Sequence, residues 1–153
     1  MKKLLFVVDP LDQFKVYKDT TFSIMREAQW RGYLIAACLP QDIQWKSGGF
    51  VMATVQQISL TGSQPGWYRV HNTMRMALKD FDAVLMRKDP PFNAEYIYAT
   101  HLLEQAERED GNVVNRPRAL RDHPEKLAIM EFPELVPPTL VTRNAASVRD
   151  FHA

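Results

Sequence analysis

Only one cysteine, Cys38, occurs among the 153 residues. A single thiol closes no intramolecular disulfide, which excludes a disulfide-stapled scaffold and fits a reducing compartment. Long apolar runs are missing as well, and nothing approaches the ~20 residues of a membrane span. The opening "MKKLLFVVDP" has the basic start of a signal peptide. Its apolar core, Leu4 to Val8, is too short for one, and Asp9-Pro10 ends it. There is little net charge: at +1 the chain has no basic field of the kind that general nucleic-acid binding needs. The four histidines, at 71, 101, 123 and 152, show no zinc-ligand spacing with the cysteine. Glycine-rich phosphate loops are absent in both common forms, GxGxxG and the P-loop, so neither a nicotinamide nor a Walker-type nucleotide site has support. There is no internal repeat and no low-complexity tract. The expectation is a soluble, cytoplasmic protein without a membrane or nucleic-acid partner and without a metal site of its own.

What is present is core material. Hydrophobic residues make up 46% and charged residues 24%, enough for one packed domain or one domain plus part of another. "KLLFVV" is a continuous apolar run, as in strands of a parallel sheet buried on both faces. A polar loop, "DPLDQFKVYKDT", follows it. "TTFSIMREAQWRG" then places Phe22, Met25, Ala28 or Gln29, and Tyr33 on one helical face, with Asp19 or Thr20 as cap and Gly32 just past the end. "YLIAACL" is a second buried strand that carries Cys38, read as a packed and inert thiol. This β-loop-α-β unit implies a right-handed crossover and a parallel pair.

The middle differs. Gly48-Gly49 separates two β-prone segments, a hairpin signal, and "GSQPGWYRV" adds a turn and a further short strand. Parallel character resumes with the strand "FDAVLMR". A helix follows over "NAEYIYATHLLEQAERED", capped by Asn93, striped by Tyr96, Ala99, Leu103 and Ala106, and ended by Gly111. "NVVN" is a short strand, and "RPRALRDH" a helical turn with proline near its start. The end contains a helix-like piece, a proline-rich turn, a strand "TLVT" and a helix start capped by Asn144. A lone β-α start buries its apolar faces poorly, so the chain is expected to stop inside a second domain. Trp30, Trp45, Met74 and Met76 are expected in core or interface packing.

In open parallel sheets, ligands bind outside the carboxyl ends of the strands. Three stretches occupy such places: the loop ending in Lys18, Asp19, Thr20 and Thr21; "MRKDPPFN"; and "NRPRALRD". All three carry basic residues. At Lys18–Thr21 the spacing alone favours ordinary helix capping over a ligand contact. In "MRKDPPF", Pro90 and Pro91 lack amide donors and stop strand pairing. Asp89 is held extended by the proline after it. The bend delivers Arg87 and Lys88 to the sheet edge, where a planar fork and a point charge suit carboxylate or phosphate. A solvated turn with an internal Arg–Asp pair fits equally well, and the isomer of either X-Pro bond stays open. Glu125-Lys126 reads by default as a solvent-facing pair on a helix.

Taken together, "VVDP" (7–10), "KDTTF" (18–22), "EAQWRGY" (27–33), "LMRKDPPFNAEYIYATHLLEQAE" (85–107), "NRPRALRD" (115–122), "EKL" (125–127) and "PPTLVTRN" (137–144) resemble the N-terminal part of the prokaryotic glutathione synthetase family of ATP-grasp ligases. The resemblance spans nearly the whole chain in order and is loosest over Gln44 to Asp80. It implies an α/β fold: a Rossmann-like, mostly parallel sheet flanked by helices, with an antiparallel hairpin insertion. Residues 1–122 would form the substrate-side domain and 123–153 the truncated beginning of the ATP-grasp domain. It further implies ATP-dependent ligation of γ-glutamylcysteine and glycine through an acyl phosphate, with Mg²⁺, in a homo-oligomer. Lys126 would be an ATP-contacting lysine. Arg87, Lys18, Asp19, Thr20 and Lys88 would stand on the peptide-substrate side. The family's ATP lid, second ATP lysine, remaining substrate arginines and magnesium-binding acids would all fall beyond Ala153, so this piece alone is expected to be inactive. The competing expectation is a free-standing Rossmann-like module that binds a small anion or serves oligomerisation without catalysis.

Overall fold

The run "KLLFV" forms the first strand, β1 (Lys3–Val7), and its two sides face different cores. Leu5 and Val7 point into one apolar cluster, Phe6 and Val8 into the other. Both sides are buried, which is why this strand reads as a continuous apolar run rather than an alternation. A computed structural model describes residues 1–62 and 66–152. The chain divides into two compact units, Met1–Asp122 and His123–Ala153.

In the first unit, β1 is flanked by β2 (Leu34–Cys38) and β6 (Ala83–Met86), and β6 by β7 (Val113–Val114), all in parallel. Helix α1 (Thr20–Trp30) connects β1 to β2, and α2 (Ala94–Arg108) connects β6 to β7. The crossovers lie on opposite sides of the sheet. Phe22, Met25 and Ala28 of α1 join the Phe6 cluster, whereas Ala99, Leu103 and Ala106 of α2 join the Leu5 cluster. The order in which strands are added across the sheet therefore reverses between β1 and β6, and the crevice at their carboxyl ends is the topological switch point of the sheet.

The antiparallel part comprises β3 (Ile43–Gln44), β4 (Met52–Leu60) and β5 (Tyr68–Ala77). One edge of β4 meets β3 at Met52–Ala53 and β2 at Gln56–Ile58, and β5 runs along the other edge. Ala53 and Val55 of β4 are buried in the α2-side cluster, Ile58 and Leu60 in the α1-side cluster. The Gly48-Gly49 turn does join two antiparallel strands, but β3 has only two residues. The main hairpin is β4–β5, with β5 ten residues long rather than short. The turn expected at "GSQPG" lies partly outside the described residues, at 63–65.

Both major helices end in the same way. In α1, the Gly32 and Tyr33 amides donate to the Gln29 and Ala28 carbonyls at 2.9 and 3.0 Å, with Gly32 at φ +73°. In α2, Asp110 and Gly111 donate to Glu107 and Ala106 at 3.1 and 2.8 Å, and here the left-handed residue is Asp110, at φ +67°. These are Schellman ends, each satisfying two orphan carbonyls. Gly111 is required for a different reason: a Cβ there would lie 2.7 Å from the Ala106 carbonyl oxygen. At the other termini, Asp19 accepts from the Thr21 and Phe22 amides at 2.7 and 3.0 Å, and Asn93 from the Tyr96 amide at 3.0 Å.

Three expectations are corrected. The "polar" loop after β1 buries Leu11 and Phe14 and contains a 3-10 turn, Leu11–Gln13. Phe14 stacks on Trp67 at 5.3 Å between centroids, Phe22 meets the same indole edge-on at 5.3 Å, and its Nε1–H donates to the Leu11 carbonyl. Trp67 is thus the core tryptophan. Trp30, expected in packing, is 82% exposed, because Phe22, Met25 and Ala28 set the inward face of α1 and leave position 30 on the far side. Trp45 is also exposed, at 48%; Met74 and Met76 pack half-buried against the core. The third correction falls in the second unit. Thr139–Thr142 is not a strand. The unit's described residues contain no strand edge for it to pair with. The helix-like piece there is a turn at 125–127 and two 3-10 turns, Ala128–Glu131 and Pro133–Leu135. Helix α4 (Ala145–His152) is capped as expected, the Ala146 amide donating to Asn144 Oδ1 at 2.8 Å.

The third basic stretch is spent on structure. Helix α3 (Pro117–Asp122) is tied to α2 by Arg121, whose side chain is only 16% exposed and whose guanidinium donates to Thr100 Oγ1 at 3.2 Å and pairs with Glu104. The hydrogen bond from Arg121 holds the Glu104 carboxyl below its ordinary value; burial opposes the shift, and the charges of Arg121, Arg108 and His101 add to it. A carboxyl depressed in the folded state stabilises it above its unfolded value, near 4.5, and that contribution is lost as pH falls through the folded value. In thermal unfolding, Arg121→Met should therefore melt below the parent at neutral pH, with the gap narrowing as pH falls below about 5. A gap independent of pH would contradict this account of the pair.

Candidate functional site

Alternation along β6 decides what reaches the ligand edge. Leu85 packs on the α1 side and Met86 on the α2 side. The Arg87 amide still donates to the Val7 carbonyl at 2.8 Å, so pairing with β1 continues one residue further. With a period of two, Arg87 falls to the α1 side and Lys88 to the α2 side. Pro90 and Pro91, joined by a cis bond, then end the strand.

On the α1 side, Arg87 meets the first turn of α1. Its Nε donates to Thr21 Oγ1 at 3.1 Å and its Nη2 to Thr20 Oγ1 at 2.9 Å. Together with Lys15, Lys18, Asp19 and Asp89 these residues line an open groove of about 680 Å³. Three cations face two carboxylates there, and one of the carboxylates, Asp19, is engaged by helix amides. The capping and ligand-edge readings of Lys18–Thr21 are compatible: Asp19 caps, while Lys18 and Thr20 line the groove. The internal Arg–Asp pair considered for "MRKD" is replaced by contacts from Arg87 to the two threonines.

On the α2 side a second groove, of about 760 Å³, is lined chiefly by apolar groups, among them Pro40, Ile43, Tyr96 and Leu102, with Lys88 and Asp9 in its wall. Lys88 Nζ lies 2.9 Å from Asp9 Oδ1, and the Asp89 amide donates to Asp9 Oδ2 at 2.9 Å. Burial raises the Tyr96 phenol above its usual value, and the charge of Arg87 draws it partly back.

The structure thus brings Lys18, Asp19, Thr20 and Arg87 to one groove and sets Lys88 in another. Lys126 belongs to the second unit, on a turn, 85% exposed and 3.6 Å from Glu125 Oε1. Lys15 and Gln13 are groove residues that sequence reasoning did not single out, whereas Thr21, weighed with Lys18–Thr20, does line the groove. Lys15 and Gln13 stand in the same loop, and only the fold of that loop distinguishes those facing the groove. Cys38 is buried, and burial, with a smaller contribution from Asp42, pushes its thiol well above the usual range, as for an inert core thiol. Among the described residues no group of three or more His, Cys, Asp or Glu side chains could hold a metal ion, and no helix is long and apolar enough to cross a membrane.

A doubly wound sheet with charged loops gathered at its switch point defines an α/β domain of the open-sheet class, whose crevice lies at the carboxyl ends of the parallel strands. A family model described as "Prokaryotic glutathione synthetase, N-terminal domain" matches residues 2–121, and the chain belongs to that family. It is similar to the glutathione synthetase of Ralstonia nicotianae, 51% identical over 151 residues, which is 99% of this chain and 46% of the relative. Those of Nitrosomonas europaea and Vibrio cholerae are 46% and 45% identical, again over 99% of this chain and over 48% and 47% of their own lengths. The chain spans about half the length of the curated relatives it matches.

Proposed function

We propose that this chain is the substrate-side part of an ATP-dependent glutathione synthetase that joins γ-glutamylcysteine to glycine. The observation that carries the reading is the family match across residues 2–121, a span that includes every residue of the Arg87 groove. In the proposed reaction the cysteinyl carboxylate attacks the γ-phosphorus of ATP and ADP leaves. The glycine amine then attacks the resulting acyl phosphate, phosphate departs, and the amine gives up a proton as the amide forms. Phosphoryl transfer of this kind relies on positioning and charge neutralisation.

Within this scheme Arg87, held by Thr20 and Thr21, and Lys18 supply positive charge toward the peptide substrate, while Asp19 keeps the first turn of α1 in place. Lys88, on the other side of the sheet, would reach the substrate only from the second groove. Lys126 is proposed as a contact to ATP. One lysine on an exposed turn does not by itself make a nucleotide site, and the rest of the ATP and Mg²⁺ site is proposed to lie in the half of the relatives' length that this sequence does not match. Homo-oligomerisation and a cytoplasmic location complete the proposal. The test is to incubate the purified 153-residue chain with ATP, Mg²⁺, γ-glutamylcysteine and glycine. No glutathione should form, whereas turnover would overturn this division of labour.

A further inference from the structure

The turn that carries Arg87 is poorly able to hold itself. Pro90 and Pro91 offer no amide, so the Asp89 N–H is the last backbone donor before a two-residue gap. That donor goes to Asp9, the second residue past β1 and 80 positions away in sequence. The other oxygen of the same carboxylate takes the Lys88 ammonium. Lys88 Nζ in turn donates to the Asp89 carbonyl, closing a small ring of contacts. The Lys88 and Asp9 side chains are 22% and 26% exposed, whereas Asp89 stands on the surface. Asp9 therefore fastens two consecutive residues of the turn, both immediately after Arg87. It also lies in the wall of the large α2-side groove and of a small hollow, of about 230 Å³, that it shares with Arg87 and Asp19.

We propose that Asp9 is a positioning residue of the Arg87 groove, and that Lys88 serves as its counter-ion, a clasp rather than a ligand contact. The proposal deepens the function argued above and rests on it only for its kinetic consequence. Remove the carboxylate, and the half-buried Lys88 side chain loses its ion-pair partner while the Asp89 amide loses its acceptor. Lys88 then turns toward water and takes the backbone of 88–89 with it. Arg87 keeps its amide bond to Val7, but its side chain is left to two hydroxyl acceptors that no longer sit at a fixed distance from the strand end. Displacements of about 1 Å at a substrate clamp can cost up to about a hundredfold in rate.

The clasp can be tested without assuming any reaction. In ¹H–¹⁵N spectra of the 153-residue chain, the Arg87 Nε–H, bonded to Thr21, should exchange slowly with water. Asp9→Ala should move that resonance and speed its exchange, with near-ultraviolet circular dichroism unchanged. Asp9→Asn keeps an acceptor for the Asp89 amide but loses the charge; it serves as the milder variant if the alanine form fails to fold, and should give a smaller effect. Lys88→Met should add little in the Asp9→Ala background. An unmoved Arg87 Nε–H in a folded Asp9 variant would overturn the proposal. In the full-length synthetase, Asp9→Asn should raise KM for γ-glutamylcysteine about tenfold, with KM for ATP unchanged. If Arg87→Ala leaves that KM unaltered, the functional reading fails, while the spectra still decide the role of Asp9.

Discussion

Phe6→Ala should lower the unfolding free energy by about 3–5 kcal/mol, the range for an aromatic ring deleted from a packed core. Phe6 is fully buried in β1, the strand to which both β2 and β6 are paired. Its ring belongs to the α1-side cluster with Phe22, Met25 and Ile35, so deletion leaves a cavity walled by two other elements, α1 and β2. Parallel neighbours on both edges of β1 prevent the strand from shifting inward to fill that space. Urea titration should show a lower midpoint with an unchanged slope. A loss under about 1 kcal/mol would mean that the site collapses freely and that the packing described is not what holds this layer.

Gly111→Ala should be the most damaging substitution among the glycines. The added Cβ would meet the Ala106 carbonyl oxygen at 2.7 Å and its carbon at 3.2 Å, both backbone atoms of the last turn of α2. Neither can swing aside as a side chain would, so the Schellman end must open and its two bonds to Ala106 and Glu107 weaken. A loss of about 2 kcal/mol is expected, in the range for overpacked sites. By contrast, Gly49→Ala meets a single neighbour at 3.4 Å with no left-handed φ to accommodate, and should be close to neutral. Equal melting temperatures for the two variants would refute the contrast. Gly32 is the complementary case: its left-handed φ of +73° calls for glycine, although nothing lies within 4 Å of a Cβ there.

Much of this was legible in the sequence because it depends on local pattern. Continuous apolar runs marked β1 and β2, 3.6-residue stripes marked α1 and α2, and two prolines marked the place where β6 stops. The arrival of Arg87 and Lys88 at the ligand edge followed from those prolines. Their division between two sides also lay within reach of the two-residue period, but which side each takes depends on the crossovers of α1 and α2. The bond from Asp9 to Asp89 spans 80 positions and leaves no local signature. Trp30 was misplaced because residue type was weighed above its position on the helix, and Trp67 escaped notice because it precedes an edge strand at the end of a turn. The strand assigned to "TLVT" shows the limit of propensity: four β-prone residues stay irregular when no edge is offered to them.

The path of β4 has a consequence for how the first unit comes apart. Its early residues, Ala53 and Val55, are buried beneath α2, and its later residues, Ile58 and Leu60, beneath α1. The strand crosses from one layer to the other along its length and belongs to neither alone. A local opening that exposes the α1 layer must peel away half of β4, and the other half is interleaved with the opposite layer. The two helical layers are thereby expected to open as one cooperative unit, with neither forming a foldon of its own.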